Sequence, residues 1–291
     1  MKILVFGVTG MLGHKLYQVL GQSFDTVGTI RGPYNGIARY GFFQTSQIAS
    51  GVDASDFSSV KKVIDETKPE VVVNCVGIVK SLVDKAGMAS TISLNSLLPH
   101  QLYQVCQPKG IRLIHISTDC VFSGKTGNYK EDDTSDAEDV YGKTKFLGEV
   151  SGANALTIRT SIIGRELASA NGLVEWFASN RSGKVQGYAN AIFSGFPTLH
   201  LSRIIADIIQ NQKGLEGLYH VGSEPISKFD LLILINKDMG FNITIEKYPG
   251  YRIDRSLDST KFRRETGFAP PSWEKMIEEF ARDAEQYSKW R

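Results

Sequence analysis

Cysteine is scarce: only three of 291 residues, Cys75, Cys106 and Cys120, far apart and with no Cys-x-x-Cys pair. That excludes a cysteine-ligated zinc ribbon and predicts reduced, packed thiols, hence a cytoplasmic setting. The five histidines (His14, His100, His115, His200, His220) show no ligand spacing, so no metal site is expected. His115, between Ile114 and Ile116, reads as a strand residue. Charge of one sign is lacking too. With 33 Lys and Arg against 31 Asp and Glu, the net +2 offers no footprint for nucleic acid and no interaction tail. No run approaches the roughly 18 apolar residues that span a bilayer, so no membrane association is expected. The start lacks the apolar core of a secretory signal. There is no internal repeat and no low-complexity tract. At 42% hydrophobic and 22% charged, the chain has the composition of a globular protein with room for a large core.

What is present is an alternation of strands and helices. Residues 2–6, Lys-Ile-Leu-Val-Phe, make the short β-branched run of a buried parallel strand. They lead into Gly7, Val8, Thr9, Gly10, Met11, Leu12 and Gly13, then into the helical spacing of Leu16, Val19 and Leu20. Strand, glycine turn and helix form the context of a dinucleotide site, with the helix N-terminus facing the phosphates. The spacing is Gly-x-x-Gly-x-x-Gly, which alone also suits an ordinary strand–helix turn. Further strands are predicted at 26–30, 48–52, 71–76, 112–116 and 155–159, and helices at 55–67, 88–107 and 141–151, with a loop over 33–47. This is the pattern of an α/β fold: a Rossmann-type doubly wound parallel sheet. Beyond Thr160 the rhythm changes, with helices predicted at 172–182, 199–212, 228–239 and 273–290 and one short strand at 218–221. The expected division is a cofactor-binding domain over 1–165, joined by a returning segment around 196–222, and a smaller substrate lobe over most of 166–291.

The chemistry sits at Tyr141-Gly142-Lys143-Thr144-Lys145 and Ser117-Thr118-Asp119. Tyr141 and Lys145 stand one helical turn apart on the same face. An ammonium there is expected to favour the phenolate, so Tyr141 can give and recover a proton near neutral pH. Thr118, at a strand end, supplies a second hydroxyl for the same substrate oxygen. In an open parallel sheet ligands bind beyond the carboxyl ends of the strands, and all the candidates fall there. They are the glycine loop, Arg31, Asp53, the run Asn74, Cys75, Val76 and Gly77, and Thr118 with its neighbour Asp119. Arg31 replaces the acidic residue that would bind the ribose 2′-OH of NAD. Its guanidinium suits a 2′-phosphate, so NADPH is favoured, with NADH still usable. Each also has a plainer reading: Arg31 as a solvated loop residue, Asp53 or Ser55 as a helix cap, Asp119 and Glu131 as turn residues.

The glycine loop, Ser117-Thr118-Asp119-Cys120-Val121-Phe122-Ser123-Gly124, Asn128-Tyr129-Lys130-Glu131-Asp132, Tyr141-x-x-x-Lys145-x-x-Gly148-Glu149 and Ile158-Arg159-Thr160 together resemble the extended short-chain dehydrogenases/reductases. Within them the chain is most similar to the dTDP-dehydrorhamnose reductase group. The resemblance covers nearly the whole chain and is tighter over the first 165 residues. It implies a catalytic triad of Thr118, Tyr141 and Lys145, with Tyr141 and Lys145 also at the nicotinamide ribose. It implies reduction of a 4-keto group on a nucleotide-linked deoxysugar for polysaccharide or glycan precursors. It allows a homodimer and aligns Asn95 with an asparagine that supports a relay water. Cys120 departs from the usual Tyr, and Asp254-Arg255-Ser256 from the usual Arg-Pro-x-x-Ser, which leaves the sugar open. Thr118, Asp119, Trp176 and Arg255 are substrate candidates, with Lys184, Tyr188 and Phe193 as further positions in the lobe. An NAD-retaining epimerase or dehydratase, and a non-catalytic regulatory subunit of the same fold, are the alternatives.

Overall fold

A computed structural model describes residues 1–181 and 183–290. Seven parallel strands make the central sheet: β1 (Lys2–Phe6), β2 (Asp25–Ile30), β3 (Ile48–Ser50), β4 (Val71–Asn74), β5 (Arg112–Ile116), β6 (Ala155–Arg159) and β10 (Gly217–His220). Their spatial order is β10-β6-β5-β4-β1-β2-β3. The chain winds outward from β1 in both directions, so a crevice opens beyond the ends of β1 and β4. This is the doubly wound α/β sheet expected from the sequence.

Strand periodicity divides the core. Ile3, Val5, Val71 and Val73 face the cluster completed by α1 (Met11–Leu20) and α8 (Thr198–Asn211). Leu4, Phe6 and Val72 face the opposite cluster with α2 (Phe57–Thr67) and α5 (Leu98–Cys106). Each such side chain, fully buried, contributes about 1.5–3 kcal/mol of transfer free energy.

Several boundaries differ from the sequence expectation. The cap of α2 is Asp56, whose carboxylate accepts from Ser58 N, and not Asp53 or Ser55. The single helix expected over 88–107 is preceded by a one-turn helix α3 (Val83–Ala86) and is divided into α4 (Met88–Ile92), a π-turn (Ser93–Leu97) and α5. The 33–47 loop contains three 3₁₀ turns and buries Tyr40 and Phe43. α6 (Val140–Leu147) stops earlier than residue 151, where Gly148 lies flush against the Asn95 carbonyl and a Cβ would collide with it. α7 is Leu173–Ser179, and residue 182 of the expected helix lies outside the described residues.

Beyond β6 come a small pair, β7 (Ile162–Ile163) with β9 (Phe196–Pro197), and a second sheet that sequence periodicity does not reveal. In that sheet β8 (Lys184–Phe193) pairs in parallel with β12 (Thr244–Asp254) and antiparallel with β11 (Ile226–Ser227). α9 (Lys228–Asp238) packs on it, with Phe229 filling the space over Gly187. α10 (Thr260–Thr266) and α11 (Trp273–Ala284) complete the chain, and a 3₁₀ turn replaces the helix after residue 284. Among the described residues no helix is long and apolar enough to cross a membrane. No group of three metal-ligating side chains is found among them either.

Candidate active site

The glycine loop turns sharply after β1. Gly7 has φ +82°, a conformation that L side chains rarely adopt, and a Cβ on Gly13 would collide with the Gly7 carbonyl. Gly10 caps α1 without any side-chain hydrogen bond. The first turn of α1 therefore keeps its N–H groups directed outward, with their partial positive charge. This uncapped cradle fits the pyrophosphate of a dinucleotide. Thr29 Oγ1 accepts from Gly7 N at 3.2 Å and steadies the loop from β2.

Arg31 is exposed just past β2. Asp53 forms a local turn, accepting from Ser55 N at 2.9 Å and Ser55 Oγ at 2.7 Å. Those bonds, and to a lesser degree the Arg31 charge, hold its carboxyl below the usual range. β4 stops at Asn74, so Cys75 and Val76 belong to the loop rather than the strand. Burial pushes the Cys75 thiol up to about 12, so it is no thiolate at neutral pH. Asn95, expected beside a relay water, has both ends of its amide engaged by Ile78: Oδ1 accepts from Ile78 N at 2.7 Å and Nδ2 donates to Ile78 O at 2.9 Å.

Thr118 ends β5. Its hydroxyl donates to Asp119 Oδ1 at 3.1 Å and accepts from Cys120 N at 3.1 Å. α6 is pressed onto this turn through Gly142, whose missing Cβ makes room for the Cys120 carbonyl. Asp139 caps α6 by accepting from Gly142 N at 2.8 Å, and Lys80 holds Asp139 at 2.7 Å. The Tyr141 phenol thereby stands beside the Thr118 hydroxyl.

One electrostatic expectation is corrected. Burial pushes the Tyr141 phenol well up rather than down, with Cys120 adding to the rise and the Thr118 hydroxyl opposing it. Lys145 is directed elsewhere, its Nζ donating to the Ile116 carbonyl at 2.7 Å. Burial lowers the Lys145 ammonium to about 8, against the opposing pull of Glu149. Tyr141 is therefore a neutral phenol at physiological pH, the form that can donate a proton.

Of the substrate candidates, Arg255 reaches the site. Its Nε donates to Phe122 O at 2.7 Å, and its charge acts on Asp119, Cys120 and Asp139. Burial raises the Asp119 carboxyl, and Arg255 partly offsets this. Phe193 is core, packed on Trp273, and Lys184 is paired with Glu246. Trp176 and Tyr188 are exposed, on α7 and β8.

Sequence reading assigned no role to Glu149 and Arg159, which brace the ends of β5 and β6. Arg159 grips Glu149 with two hydrogen bonds of 2.8 Å, and Ser117 Oγ donates to the same carboxylate at 2.7 Å. Arg159 also meets His220 Nε2 at 3.2 Å, while Glu131 accepts from His220 N at 2.9 Å. An arginine closing an apolar strand run was the available signal, because a buried charge requires a partner.

The family model described as RmlD substrate binding domain matches residues 1–286. The chain belongs to this family. Among relatives of the RmlD-type chain, the dTDP-4-dehydrorhamnose reductase of Aggregatibacter actinomycetemcomitans is 28% identical, over 98% of this chain and 99% of that protein. The dTDP-4-keto-6-deoxy-D-glucose reductase of Streptomyces niveus is 32% identical over 150 residues, 50% of this chain and 45% of that one, so the chain spans about half that relative's length. The solved dTDP-4-dehydrorhamnose reductase of Clostridium acetobutylicum shares the fold, with a TM-score of 0.77 at 20% identity over 98% of this chain and 100% of that one.

Proposed function

We propose that the protein reduces the 4-keto group of a nucleotide-linked deoxysugar with NADPH, in the supply of polysaccharide or glycan precursors. The observation that carries this reading is the Thr118–Tyr141 hydroxyl pair at the end of β5, on the same sheet edge as the uncapped glycine cradle. A reduced nicotinamide, when bound, supplies the hydride for the carbonyl carbon. Thr118 and Tyr141 bind the carbonyl oxygen, and the Tyr141 O–H bond breaks as its proton passes to that oxygen, leaving an alcohol. Lys145 stands one helical turn from Tyr141 and orients the nicotinamide ribose. Arg255, with Asp119 beside it, faces the substrate from the 166–291 lobe, and Trp176 belongs to the same lobe. Gly7, Thr9, Gly10, Met11, Leu12 and Gly13 hold the pyrophosphate, and Asn74, Cys75, Val76 and Gly77 line the adjacent strand end.

The test is NADPH oxidation against a panel of dTDP- and UDP-linked 4-keto-6-deoxysugars. Turnover with at least one is the expected result. Protein that carries tightly bound cofactor and gives no net oxidation would favour an NAD-retaining epimerase, and no turnover at all a regulatory role. Arg31→Ala should weaken NADPH binding by roughly 10–100-fold, the worth of a charge-assisted hydrogen bond, and leave NADH nearly unaffected. Measured dissociation constants that rise equally for both cofactors would remove the 2′-phosphate role.

A further inference from the structure

A fully buried polar chain runs behind Lys145. Asn74 on β4 and His115 on β5 are direct register partners, and both side chains are excluded from solvent. Asn74 Oδ1 accepts from Val76 N at 3.1 Å, which fixes the orientation of the amide. Its NH₂ group then points at His115 Nδ1, 3.2 Å away. Burial first, and the Lys145 charge second, hold His115 well below its ordinary range, so the ring is neutral. A neutral ring that accepts at Nδ1 carries its proton on Nε2. That Nε2 lies 3.5 Å from Lys145 Nζ.

An ammonium facing this N–H sets donor against donor, whereas an amine presents a lone pair to it and can still donate to the Ile116 carbonyl. We infer that His115 is a positioning residue for Lys145: its ring proton, fixed on Nε2 by Asn74, faces the lysine nitrogen and biases Lys145 toward the uncharged amine. Of the other groups facing Lys145, Glu149 beyond the end of α6 pulls the opposite way and favours the ammonium, while Cys75 after β4 is a neutral thiol near neutral pH and adds no charge. The second titratable neighbour of His115 is His100 on α5. A lysine poised between its two forms near neutral pH can take up a proton and hand it on, one helical turn from Tyr141. The inference rests on the proposed role of Lys145 in the reaction, but the placement of the ring proton does not.

The test follows the lysine directly, in the full chain without cofactor. Proteins carrying ¹³Cε-lysine are titrated by NMR, with the Lys145 signal assigned by its loss in Lys145→Met. In His115→Asn, whose amide can still meet Asn74 but does not reach Lys145, the midpoint should rise by about one pH unit, a tenfold gain in proton affinity. In His115→Gln, whose amide reaches the lysine, it should stay near the wild-type value. An unchanged midpoint in His115→Asn, or equal shifts in both variants, would overturn the inference. If both variants unfold, the wild-type ring decides: ¹⁵N shifts with the proton on Nδ1 overturn it, and on Nε2 uphold it. With an active substrate, the alkaline limb of kcat/KM should move upward in His115→Asn in step with the NMR midpoint. Absence of any reductase activity would count against the proposed function and leave the titration result standing.

Discussion

Tyr141→Phe lowers kcat by ~10²–10⁴, the usual worth of one positioned proton donor, while cofactor affinity stays close to wild type. The phenol carries the only proton that the proposed reaction takes directly from this chain. Thr118, Asp139 and Gly142 position it and are untouched by the substitution. A phenylalanine fills the same half-buried space, so the loss falls on the chemical step. Steady-state kinetics together with cofactor binding by fluorescence separate the two. Near-normal turnover would remove Tyr141 from the chemistry.

Glu149→Ala should destabilise the fold by about 3–5 kcal/mol, because it leaves the Arg159 guanidinium buried without its carboxylate. For a protein of this size that lowers Tm by on the order of 10 °C. The double variant Glu149→Met with Arg159→Met removes both charges and should regain much of the loss. Thermal unfolding followed by circular dichroism decides, and a single variant within about 1 kcal/mol of wild type would mean that solvent reaches the guanidinium. Ser117 shares the carboxylate, so the same substitution should loosen the turn that carries Thr118.

The central sheet was legible because its strands are buried on both faces, and Val71-Val72-Val73 or Leu113-Ile114 can be little else. The second sheet was hidden. Residues 244–254 are mostly polar and exposed, and Pro249-Gly250 interrupts them where the pairing with β8 shifts. Periodicity has nothing to register in such an edge strand. The α6 pair was legible from its spacing, yet the direction of Lys145 was not, because that depends on which carbonyl β5 offers. Asn95 matched a motif position, but the π-turn aims its amide at Ile78, and no local pattern encodes that aim. Glu149 and Arg159 lay in quoted motifs, but their pairing is a tertiary fact.

The seam between residues 122–129 and 254–257 bears on how the protein is made. Asp254 N donates to Gly124 O at 2.8 Å, Arg255 Nε to Phe122 O, and Tyr129 N to Ser256 O at 2.9 Å. The segment that follows Thr118 thus gains its partners only after some 130 further residues have been translated, on the order of ten seconds at ordinary ribosomal rates. The nucleotide cradle needs no such wait, since β1, α1, β2 and β4 come from the first 74 residues. A nascent chain would therefore hold cofactor-binding surface well before it could complete a substrate pocket. Ribosome-bound intermediates stalled before residue 254 should leave the 122–129 segment open to protease, and release past residue 258 should close it.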